Sequence, residues 1–579
     1  MMSKALLKFQ IGPVQDFIAA ARSTRDLWSG SYLLSYLVAK GLRELLKPEH
    51  ASELIFPNPA IQPLLKQLSE WPQQDQKALL TPNLPNLFVA RVPADSGKAT
   101  AIAKAVQDAI KDQWQAIAIA VWKQHAALNI PATSETAFRN AVNKHLSISW
   151  QITPIGERGY TEAYRDNGWH LDAVRQTRDF VAWGSGAWTL GHEKDSLTGK
   201  EEALCGGTEW FGQLKTNEYS KLFKHSDHVG PITFIKRVWH LAYLAHRDGA
   251  GLQGQVQQFR LRSIPAIAAR TDEPDDEHDT DPTAGGEKYI AAIAFDGDYI
   301  GKWVDGKELE NPGELRQHHT AFSAALSDFA LNKVRAIVED EHAGQLIYAG
   351  GDDVVALVPS DTALECASAL RQAFCEATKE ISGKNEKGEV IHPDASAGIA
   401  IAHIHAPLQD LIREAQKAEK RAKNTVGRPA FSITLMKRSG EISEWGAKWE
   451  FGGLALYQQI AVLLDLGKLT GKFPHRVCQL LTPYLSRQAD LADPADPADQ
   501  TDLSAVITRE FAFAVSRQST AALTPKDRDD LTTALATYLG NLHTLAQTQL
   551  TALIGLCTTV AFTHRTRPES TTPKGNSPA

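Results

Sequence analysis

A short acidic turn between two apolar segments constrains this chain more than any other feature. Residues 346–358, LIYAGGDDVVALV, place strand-forming residues on both sides of a Gly350-Gly-Asp-Asp353 turn, and this pattern predicts a β-hairpin. Adjacent carboxylates repel each other unless cations neutralise them, and their hard oxygen ligands suit Mg²⁺ that is shared with substrate phosphates. Glycine and aspartate also dominate ordinary solvated turns, so this turn alone leaves both interpretations open.

A second acidic strand end precedes the hairpin. Residues 289–295, YIAAIAF, form an apolar run of buried-strand length, and Asp296-Gly-Asp298 follows at once. The arrangement resembles the first metal-binding strand of a polymerase or cyclase palm, where acids from two strand ends hold two cations about 3.5–4 Å apart. Apolar positions in residues 313–340 recur at mostly helical intervals. The predicted order is therefore strand, helix, hairpin.

The segment after the hairpin completes this pattern. It predicts an amphipathic helix over residues 362–382, a strand over 395–402 and a further amphipathic helix over about 408–423. Two crossover helices around an antiparallel hairpin give the split β-α-β order of a ferredoxin-like palm. The order of the elements and the position of the acids therefore favour the same fold.

The first forty residues predict another unit that begins with a strand. An apolar strand over residues 6–11 ends at Gly12-Pro13, and two helices follow. Arg22, Arg25 and Asp26 fit a solvated helix end with local ion pairs. The planar guanidinium group of arginine would equally fit a phosphate, so both interpretations stay open.

Several motifs together resemble a known family. In the acidic half they are 296–302 DGDYIGK, 350–353 GGDD, 396–400 SAGIA and 418–423 AEKRAK. These motifs resemble the palm of the large signature subunit of type III CRISPR effector complexes and, more distantly, that of bacterial diguanylate cyclases. The N-terminal motifs 9–18 FQIGPVQDFI, 21–36 ARSTRDLWSGSYLLSY and 55–58 IFPN are similar to the first palm-like domain of the type III-B subfamily.

The resemblance implies a metal-dependent nucleotidyl transferase. Asp296, Asp352 and Asp353 would be the catalytic ligands of Mg²⁺ or Mn²⁺ and would bridge the triphosphate of one ATP. A second ATP on the first palm, which lacks paired acids, would present its 3′-hydroxyl to the α-phosphorus and displace pyrophosphate, mainly through alignment and charge neutralisation. The residues expected to bind the nucleotide are Gly297, Asp298, Gly350, Gly351 and Lys423.

The resemblance also implies products and partners. The products would be cyclic oligoadenylates, made when a complex with other type III-B effector subunits recognises target RNA through its guide RNA. Lys423 matches the lysine at a helix end of cyclase palms, although a solvated charge fits its basic helix equally well. Two alternatives stay open: a non-catalytic, nucleotide-binding scaffold subunit of the same complex, and a free-standing diguanylate cyclase that uses GTP without RNA. Intact acids at both strand ends favour the enzyme.

Length and composition fit an α+β multidomain protein. The 579 residues, 43% of them hydrophobic and 22% charged, suffice for about three to five globular units. We predict two ferredoxin-like palm domains, a small middle helical domain and a C-terminal helical domain. The predicted boundaries are 1–190 for the first palm, with helical insertions, 191–270 for the middle domain, 271–286 for an acidic linker, 287–440 for the second palm, 441–564 for the C-terminal domain and 565–579 for a disordered tail.

Other sequence features exclude several classes of protein. A net charge of -7 argues against a generally basic nucleic-acid coat. The sequence has no apolar run of about 18 residues and no signal peptide, so we expect a cytoplasmic protein without membrane contact. The five scattered cysteines fit reduced core residues.

The resemblance also leads us to expect that this protein lacks a zinc site and a nuclease domain. Asp195 and Thr198 occupy positions where many relatives carry a zinc-binding Cys-x-x-Cys, so no zinc is expected. The dipeptide His278-Asp279 lies in the acidic linker, and the first palm motif begins at Phe9. We therefore expect no metal-dependent nuclease domain of the His-Asp type.

Overall fold

The computed structural model describes residues 4–65, 76–177, 193–245, 261–272, 288–309, 311–385, 387–491, 503–542 and 546–567. The predicted linker beyond Asp272, with its His278-Asp279 dipeptide, lies outside these ranges, as does the predicted tail from residue 568 onward. Within them, no helix is both long enough and apolar enough to span a bilayer. The mixed α/β class predicted from the sequence is confirmed.

The N-terminal part forms a four-stranded antiparallel sheet, here called the first sheet. Its strands are β1 Lys4–Gly12, β2 Glu53–Phe56, β3 Leu87–Pro93 and β4 Ser147–Pro154. Their order in the sheet, β2-β3-β1-β4, is the ferredoxin-like order. The helices of this part are α1 Gln15–Ala19, α2 Thr24–Leu45, α3 Gln76–Leu79, α4 Ser96–Trp122, α5 Glu135–His145 and α6 Gly159–Gln176.

A small middle region packs against α2. It contains the short strands β5 Cys205–Gly206 and β6 His228–Val229 and the helices α7 Gly207–Gly212, α8 Pro231–Trp239 and α9 Ile264–Ala269. Asp195, in the segment where the sequence analysis expects no zinc, accepts hydrogen bonds from Thr198 Oγ1 at 2.9 Å and the Gly230 amide at 2.7 Å. These bonds tie the loop to the N-terminal end of α8. The absence of zinc stays a prediction.

The second sheet has six strands in the order β14-β13-β12-β7-β9-β8. The strands are β7 Tyr289–Gly297, β8 Gln345–Ala349, β9 Asp353–Pro359, β12 Ala395–His403, β13 Ala430–Met436 and β14 Ile442–Lys448, with β10 Gly383–Lys384 and β11 Val390–Ile391 forming a separate small hairpin. Strands β12, β7, β9 and β8 repeat the ferredoxin-like order of the first sheet. The helices are α10 Ile300–Val304, α11 Leu315–Asp328, α12 Ala363–Ala377 and α13 Leu408–Arg421, and α13 continues as a π-helical turn, Ala422–Gly427.

The sequence analysis was wrong about the segment that follows residue 440. It predicted mainly helix, but β14 pairs with β13 along its whole length, so the second sheet extends to Lys448. Only one face of β14, with Trp445 and Ala447, is well buried. Such a short, half-exposed edge strand gives a weak periodic signal beside long helices. The helices that follow are α14 Gly453–Asp465, α15 Phe473–Leu491, α16 Ser504–Gln518, α17 Pro525–Asn541 and α18 Ala546–Arg565.

The N-terminal part and the second sheet with its helices contact each other next to the acidic hairpin. The Ala349 amide, at the end of β8, donates a hydrogen bond of 3.1 Å to the Pro82 carbonyl of the first part. On the other side of the contact, Tyr160 Oη lies 2.8 Å from His319 Nδ1. These contacts fix the hairpin relative to the first sheet and leave a cavity between the two parts.

Candidate active site between the two sheets

Strands β7 and β9 bring the acids of the two distant motifs together. They pair in antiparallel register from Ile290 opposite Pro359 to Asp296 opposite Asp353, so the last paired residues are the two aspartates. Directly opposed residues in an antiparallel pair have Cβ atoms about 4.5–5.5 Å apart. Asp296 and Asp353 both line the same cavity. The register of the sheet therefore places the two carboxylates side by side at one cavity.

The turn before Asp353 requires glycine at two positions. A Cβ atom at Gly350 would lie 1.8 Å from Tyr348 Oη, and the Gly350 amide donates a hydrogen bond of 2.9 Å to the Asp353 carbonyl. Gly351 has a φ of +106°, which side chains rarely adopt. These glycines shape the turn that presents Asp353 to the cavity, whereas Asp352, which was also predicted as a metal ligand, is not among the described residues that line it.

Negative charge is concentrated at this strand end. Burial, and next the Asp296 charge, raise the pKa of Asp352 to about 7. Asp353 faces the cavity and is accessible to water there, yet desolvation by the surrounding protein and the charges of Asp296, Asp352 and Glu419 raise its pKa well above the usual range. The carboxylates therefore resist ionisation together and provide a strong site for positive charge.

Lys423 supplies positive charge to this cluster in the structure. Its Nζ forms an ion pair with Asp296 Oδ2 and another, at 2.8 Å, with Glu419 Oε1. Burial alone would lower the pKa of Lys423, but the Asp296 and Glu419 carboxylates outweigh it and raise that pKa. Lys423 is therefore not a solvated helix charge, because it neutralises the acids directly.

Asp298 has a different role from the other predicted acids. Its buried carboxylate lies 2.9 and 2.8 Å from Ser396 Oγ and 3.7 Å from Arg428 Nε. Burial raises the pKa of Asp298 to about 6, although the Ser396 hydrogen bond opposes this rise. Asp298 faces β12 rather than the cavity and holds the end of β7 in place. A Cβ at the neighbouring Gly297 would meet the Ile300 side chain at 2.5 Å, so this position supports the same turn.

Glu419 is a site residue that the sequence analysis missed. It lines the cavity, and it lies one helical turn before Lys423 at the end of α13. The i, i+4 spacing of an acid and a base within the AEKRAK motif was the available signal. Close packing sets its position, because a Cβ at Gly398 on β12 would lie only 2.0 Å from the Glu419 amide nitrogen.

The cavity between the two sheets has a volume of about 1040 Å³. The first part contributes polar groups from β1, α5 and α6, including Gln10, His145, Asp172 and Arg175, while the second contributes Asp296, Asp353 and Glu419. Pockets for small ligands span about 300–1,000 Å³, so this space is large enough for more than one nucleotide-sized ligand.

The carboxylates of the cavity fit a divalent cation that is shared with substrate phosphates. Across the described ranges, no three His, Cys, Asp or Glu side chains already converge as a complete metal site. Mg²⁺ does not need such a set, because it keeps several waters and is held by one or two carboxylates plus substrate phosphates. The facing carboxylates of Asp296 and Asp353, whose repulsion a cation would relieve, fit this kind of site.

A buried lysine from the middle region holds one wall of the cavity. The short helix α1 lines the cavity, and Lys236 Nζ donates hydrogen bonds to the carbonyls of Phe17, Ile18 and Ala20 at 2.6, 3.0 and 2.7 Å. Burial lowers the pKa of Lys236 to about 7. Because these carbonyls end a single helical turn, Lys236 satisfies groups that the helix leaves unpaired.

A buried ion-pair network continues from this lysine. Arg237 donates to both oxygens of Asp26 at 3.2 Å and to Asp227 at 2.7 Å, and Arg22 also pairs with Asp227. Burial alone would raise the pKa of Asp26, but the positive charges of Arg237 and Lys236 outweigh this effect and lower that pKa to about 2. Arg22 and Asp26 therefore form neither a solvated helix end nor a phosphate clamp. In the structure, both side chains contact the middle region.

We expect Lys236→Met to destabilise the protein. An unsatisfied buried polar group costs about 1–3 kcal/mol, and this change leaves three carbonyls without their donor. Thermal unfolding measures the loss. Lys200→Met is the matched control, because exposed Lys200 also contacts this segment, through Asp16 at 3.0 Å, and should have little effect. Equal melting temperatures for the two variants would contradict this role of Lys236.

Comparisons with known proteins agree with this architecture. Residues 289–432 match the family described as Cas10/Cmr2, second palm domain, and residues 6–119 match the N-terminal family of the CRISPR-associated protein Cmr2. The CRISPR system Cmr subunit Cmr2 of Pyrococcus furiosus is 25% identical over 574 residues, covering 77% of this chain. The chain spans 63% of the length of that relative.

Solved structures show the same fold. The chain is similar to one in the cryo-EM structure of type III-B Cmr-beta in the apo state, with a TM-score of 0.62, 12% identity and coverage of 91% of this chain and 78% of that one. For type III-B Cmr-beta bound to cognate target RNA, the TM-score is 0.59 at 12% identity, with 93% and 83% covered. At these identities the likeness concerns the fold alone.

Proposed function

We propose that the chain is a member of the Cas10/Cmr2 family of CRISPR-associated proteins and the large subunit of a type III-B effector complex that makes cyclic oligoadenylates from ATP. Synthesis starts when the complex, with its other subunits and guide RNA, recognises target RNA. The observation that carries this proposal is the meeting of Asp296 and Asp353 across β7 and β9, inside a cavity shared by both sheets.

The residues of the cavity divide the chemistry between the two sheets. Asp296 and Asp353 would hold Mg²⁺, which supplies charge neutralisation at the triphosphate of the ATP under attack. The first part positions the second ATP. Its 3′-hydroxyl oxygen loses a proton to water and forms a bond to the α-phosphorus, while the bond from that phosphorus to the bridging oxygen of the β-phosphate breaks and pyrophosphate leaves. Alignment of the two nucleotides is the main task of the protein in such chemistry.

Lys423 moves between two partners in this proposal. In the structure it forms ion pairs with Asp296 and Glu419. Asp296 and Asp353 would hold the cation once substrate binds, and Lys423 would then be released to turn its ammonium group to the phosphate oxygens. The ion pair therefore keeps the acidic cluster stable until substrate arrives.

We expect Lys423→Met to slow pyrophosphate release by about a hundredfold, since removing one oriented charge donor costs about 10²–10³-fold in rate. The measurement is initial rate against ATP concentration in the assembled complex. Lys420→Met is the matched control, because Lys420 lies exposed on the same helix and should behave like wild type. The assignment of Lys423 fails if both variants release pyrophosphate at the wild-type rate.

One experiment tests the proposed function as a whole. The purified complex with guide RNA receives ATP or GTP with Mg²⁺, with matching or non-matching target RNA, and pyrophosphate and cyclic products are measured by mass spectrometry. We expect ATP to be consumed only with matching RNA. Binding of ATP without pyrophosphate release would indicate the scaffold subunit, and use of GTP without RNA would indicate a diguanylate cyclase.

A further inference from the structure

Helix α6 of the N-terminal part is fixed to the first sheet by a buried amide. Asn167 lies near the middle of this helix and is almost completely buried. Its Nδ2 atom lies 3.1 Å from each of three acceptors, the Leu6 carbonyl on β1 and the Gln151 carbonyl and Thr153 Oγ1 on β4. Because a buried donor that loses its partners is costly, these bonds hold α6 in one position on the first sheet.

The beginning of α6 contacts a buried histidine on a helix of the second sheet. His319 lies on α11, and its Nδ1 atom is 2.8 Å from Tyr160 Oη on α6. Its other nitrogen, Nε2, is 2.6 Å from the Val304 carbonyl at the end of α10. The ring of Tyr164, also on α6, packs against His319 with 4.5 Å between the ring centres. One side chain therefore links α6 to the C-terminal end of α10.

The two hydrogen bonds of His319 have a defined direction. A carbonyl oxygen can only accept, so Nε2 carries a proton and donates it to the Val304 carbonyl. Burial lowers the pKa of His319 to about 4, so the ring is neutral at neutral pH and Nδ1 is an acceptor. Burial also raises the pKa of Tyr160, so its hydroxyl group keeps the proton. Tyr160 therefore donates to His319, and His319 donates to Val304.

Further contacts hold the same end of α10 against the N-terminal part. Arg165 on α6 donates hydrogen bonds of 3.3 and 3.2 Å to the Asp305 carbonyl, directly after α10. A small apolar cluster also joins Leu6 and Val89 of the first sheet to Leu315 at the start of α11. The end of α10 is therefore attached to the N-terminal part through both backbone and side-chain contacts.

The other end of α10 begins at the acidic turn. Strand β7 ends at Gly297 and α10 begins at Ile300, so only two residues separate the strand from the helix. The Gly297 amide donates a hydrogen bond of 3.1 Å to the Asp352 carbonyl in the hairpin. A shift of α10 would therefore move the strand end that carries Asp296.

We propose that Tyr160 and His319 are positioning residues for the reaction, because together they hold α10, and through it Asp296, at a fixed distance from the first sheet. Neither residue lines the cavity that contains Asp296 and Asp353. This inference rests on the proposed function and identifies a contact that sets the distance between its two nucleotides. Such a distance matters, because a misplacement of about 1 Å can cost about 100-fold in rate.

The test compares two variants that remove the same hydrogen bond. Tyr160→Phe deletes the donor, whereas His319→Gln keeps an amide nitrogen that can donate to Val304 but has no acceptor at the position of Nδ1. In the assembled complex with matching target RNA, we expect each variant to lower kcat for pyrophosphate release about tenfold at unchanged KM for ATP, since alignment is lost rather than binding. The double variant should also be about tenfold slower, because both changes remove one shared contact.

Tyr243→Phe is the matched control. Tyr243 Oη lies 2.8 Å from Gln113 Nε2 at the contact between α4 and the middle region, and Tyr243 does not line the cavity. This variant should lower the melting temperature about as much as Tyr160→Phe does but keep the wild-type kcat. Wild-type kcat in Tyr160→Phe, an equal loss in Tyr243→Phe, or a roughly hundredfold loss in the double variant would each refute the positioning role.

Hydrogen exchange of the complex without nucleotide tests the same link in the absence of turnover. The amides of residues 297–305 should exchange faster in Tyr160→Phe than in wild type, and Tyr243→Phe should leave them unchanged. Unchanged exchange in Tyr160→Phe would overturn the inference. A wild-type complex that releases no pyrophosphate would instead refute the proposed function, and faster exchange in Tyr160→Phe would then still support the role of Tyr160 in holding α10 and Asp296.

Discussion

Replacing Asp353 with asparagine should reduce pyrophosphate release by the assembled complex about a thousandfold. The change keeps the size of the side chain but removes one of the two facing charges that would hold the cation against the triphosphate. Loss of one such electrostatic contact costs about 10²–10³-fold in rate, and here the cation site itself is damaged. Initial rates with matching target RNA and saturating ATP measure the effect.

The same variant should be more stable than wild type without Mg²⁺. Folding raises the pKa of Asp353 above its unfolded value, so this group favours the folded state at acidic pH and loses that contribution as pH rises through the folded pKa. The stability gain of Asp353→Asn is therefore expected at neutral pH and should shrink toward pH 4. Mg²⁺ should raise the melting temperature of wild type more than that of the variant.

Glu380→Gln is the control for this prediction, because Glu380 is exposed near the end of α12 and lies outside the cavity. It should alter neither rate nor stability. Wild-type release of pyrophosphate by Asp353→Asn would remove the catalytic assignment of the acidic hairpin, even if the variant folds normally.

Adding a single methyl group at Gly398 should disrupt the site indirectly, by displacing helix α13 from strand β12. A Cβ there would lie 2.0 Å from the Glu419 amide nitrogen and 2.2 Å from the Ala415 carbonyl oxygen, both backbone atoms of α13. The helix must move away from β12, and it carries Glu419 and Lys423 with it. We expect Gly398→Ala to cost about 3 kcal/mol of stability, at the upper end of overpacking effects, and to lower activity more than Lys423→Met does.

Chemical denaturation and the pyrophosphate assay together measure this effect. Gly540→Ala on α17 is the matched control, since a Cβ at that position meets nothing within 4 Å, and alanine in a helix is more stable than glycine by about 1 kcal/mol. A stable and fully active Gly398→Ala protein would contradict the view that the packing of α13 on β12 positions the site.

Local periodicity was sufficient to predict the strands that carry the acids. The apolar runs before Asp296 and after Asp353 predicted β7 and β9, and the helical intervals between and after them predicted α11, α12 and α13. These signals arise within a few residues of chain, so one sequence reveals them. The half-exposed strand β14 was missed because neighbouring long helices dominate a mainly helical stretch.

Contacts between distant residues could not be predicted in this way. The sequence does not reveal that Lys423 pairs with Asp296, that Asp298 turns toward Ser396, or that Lys236 fixes α1. Each of these contacts depends on how separate elements pack against each other. The spacing of apolar residues along the sequence does not indicate such packing.

The most direct test of the account is the position of a bound cation. A cryo-EM map of the complex with target RNA, Mn²⁺ and a non-hydrolysable ATP analogue should show metal density between the carboxylates of Asp296 and Asp353, next to the triphosphate, with Lys423 turned away from Asp296. A triphosphate bound elsewhere, or bound in this cavity with Lys423 still paired to Asp296 and no metal at the two aspartates, would contradict it.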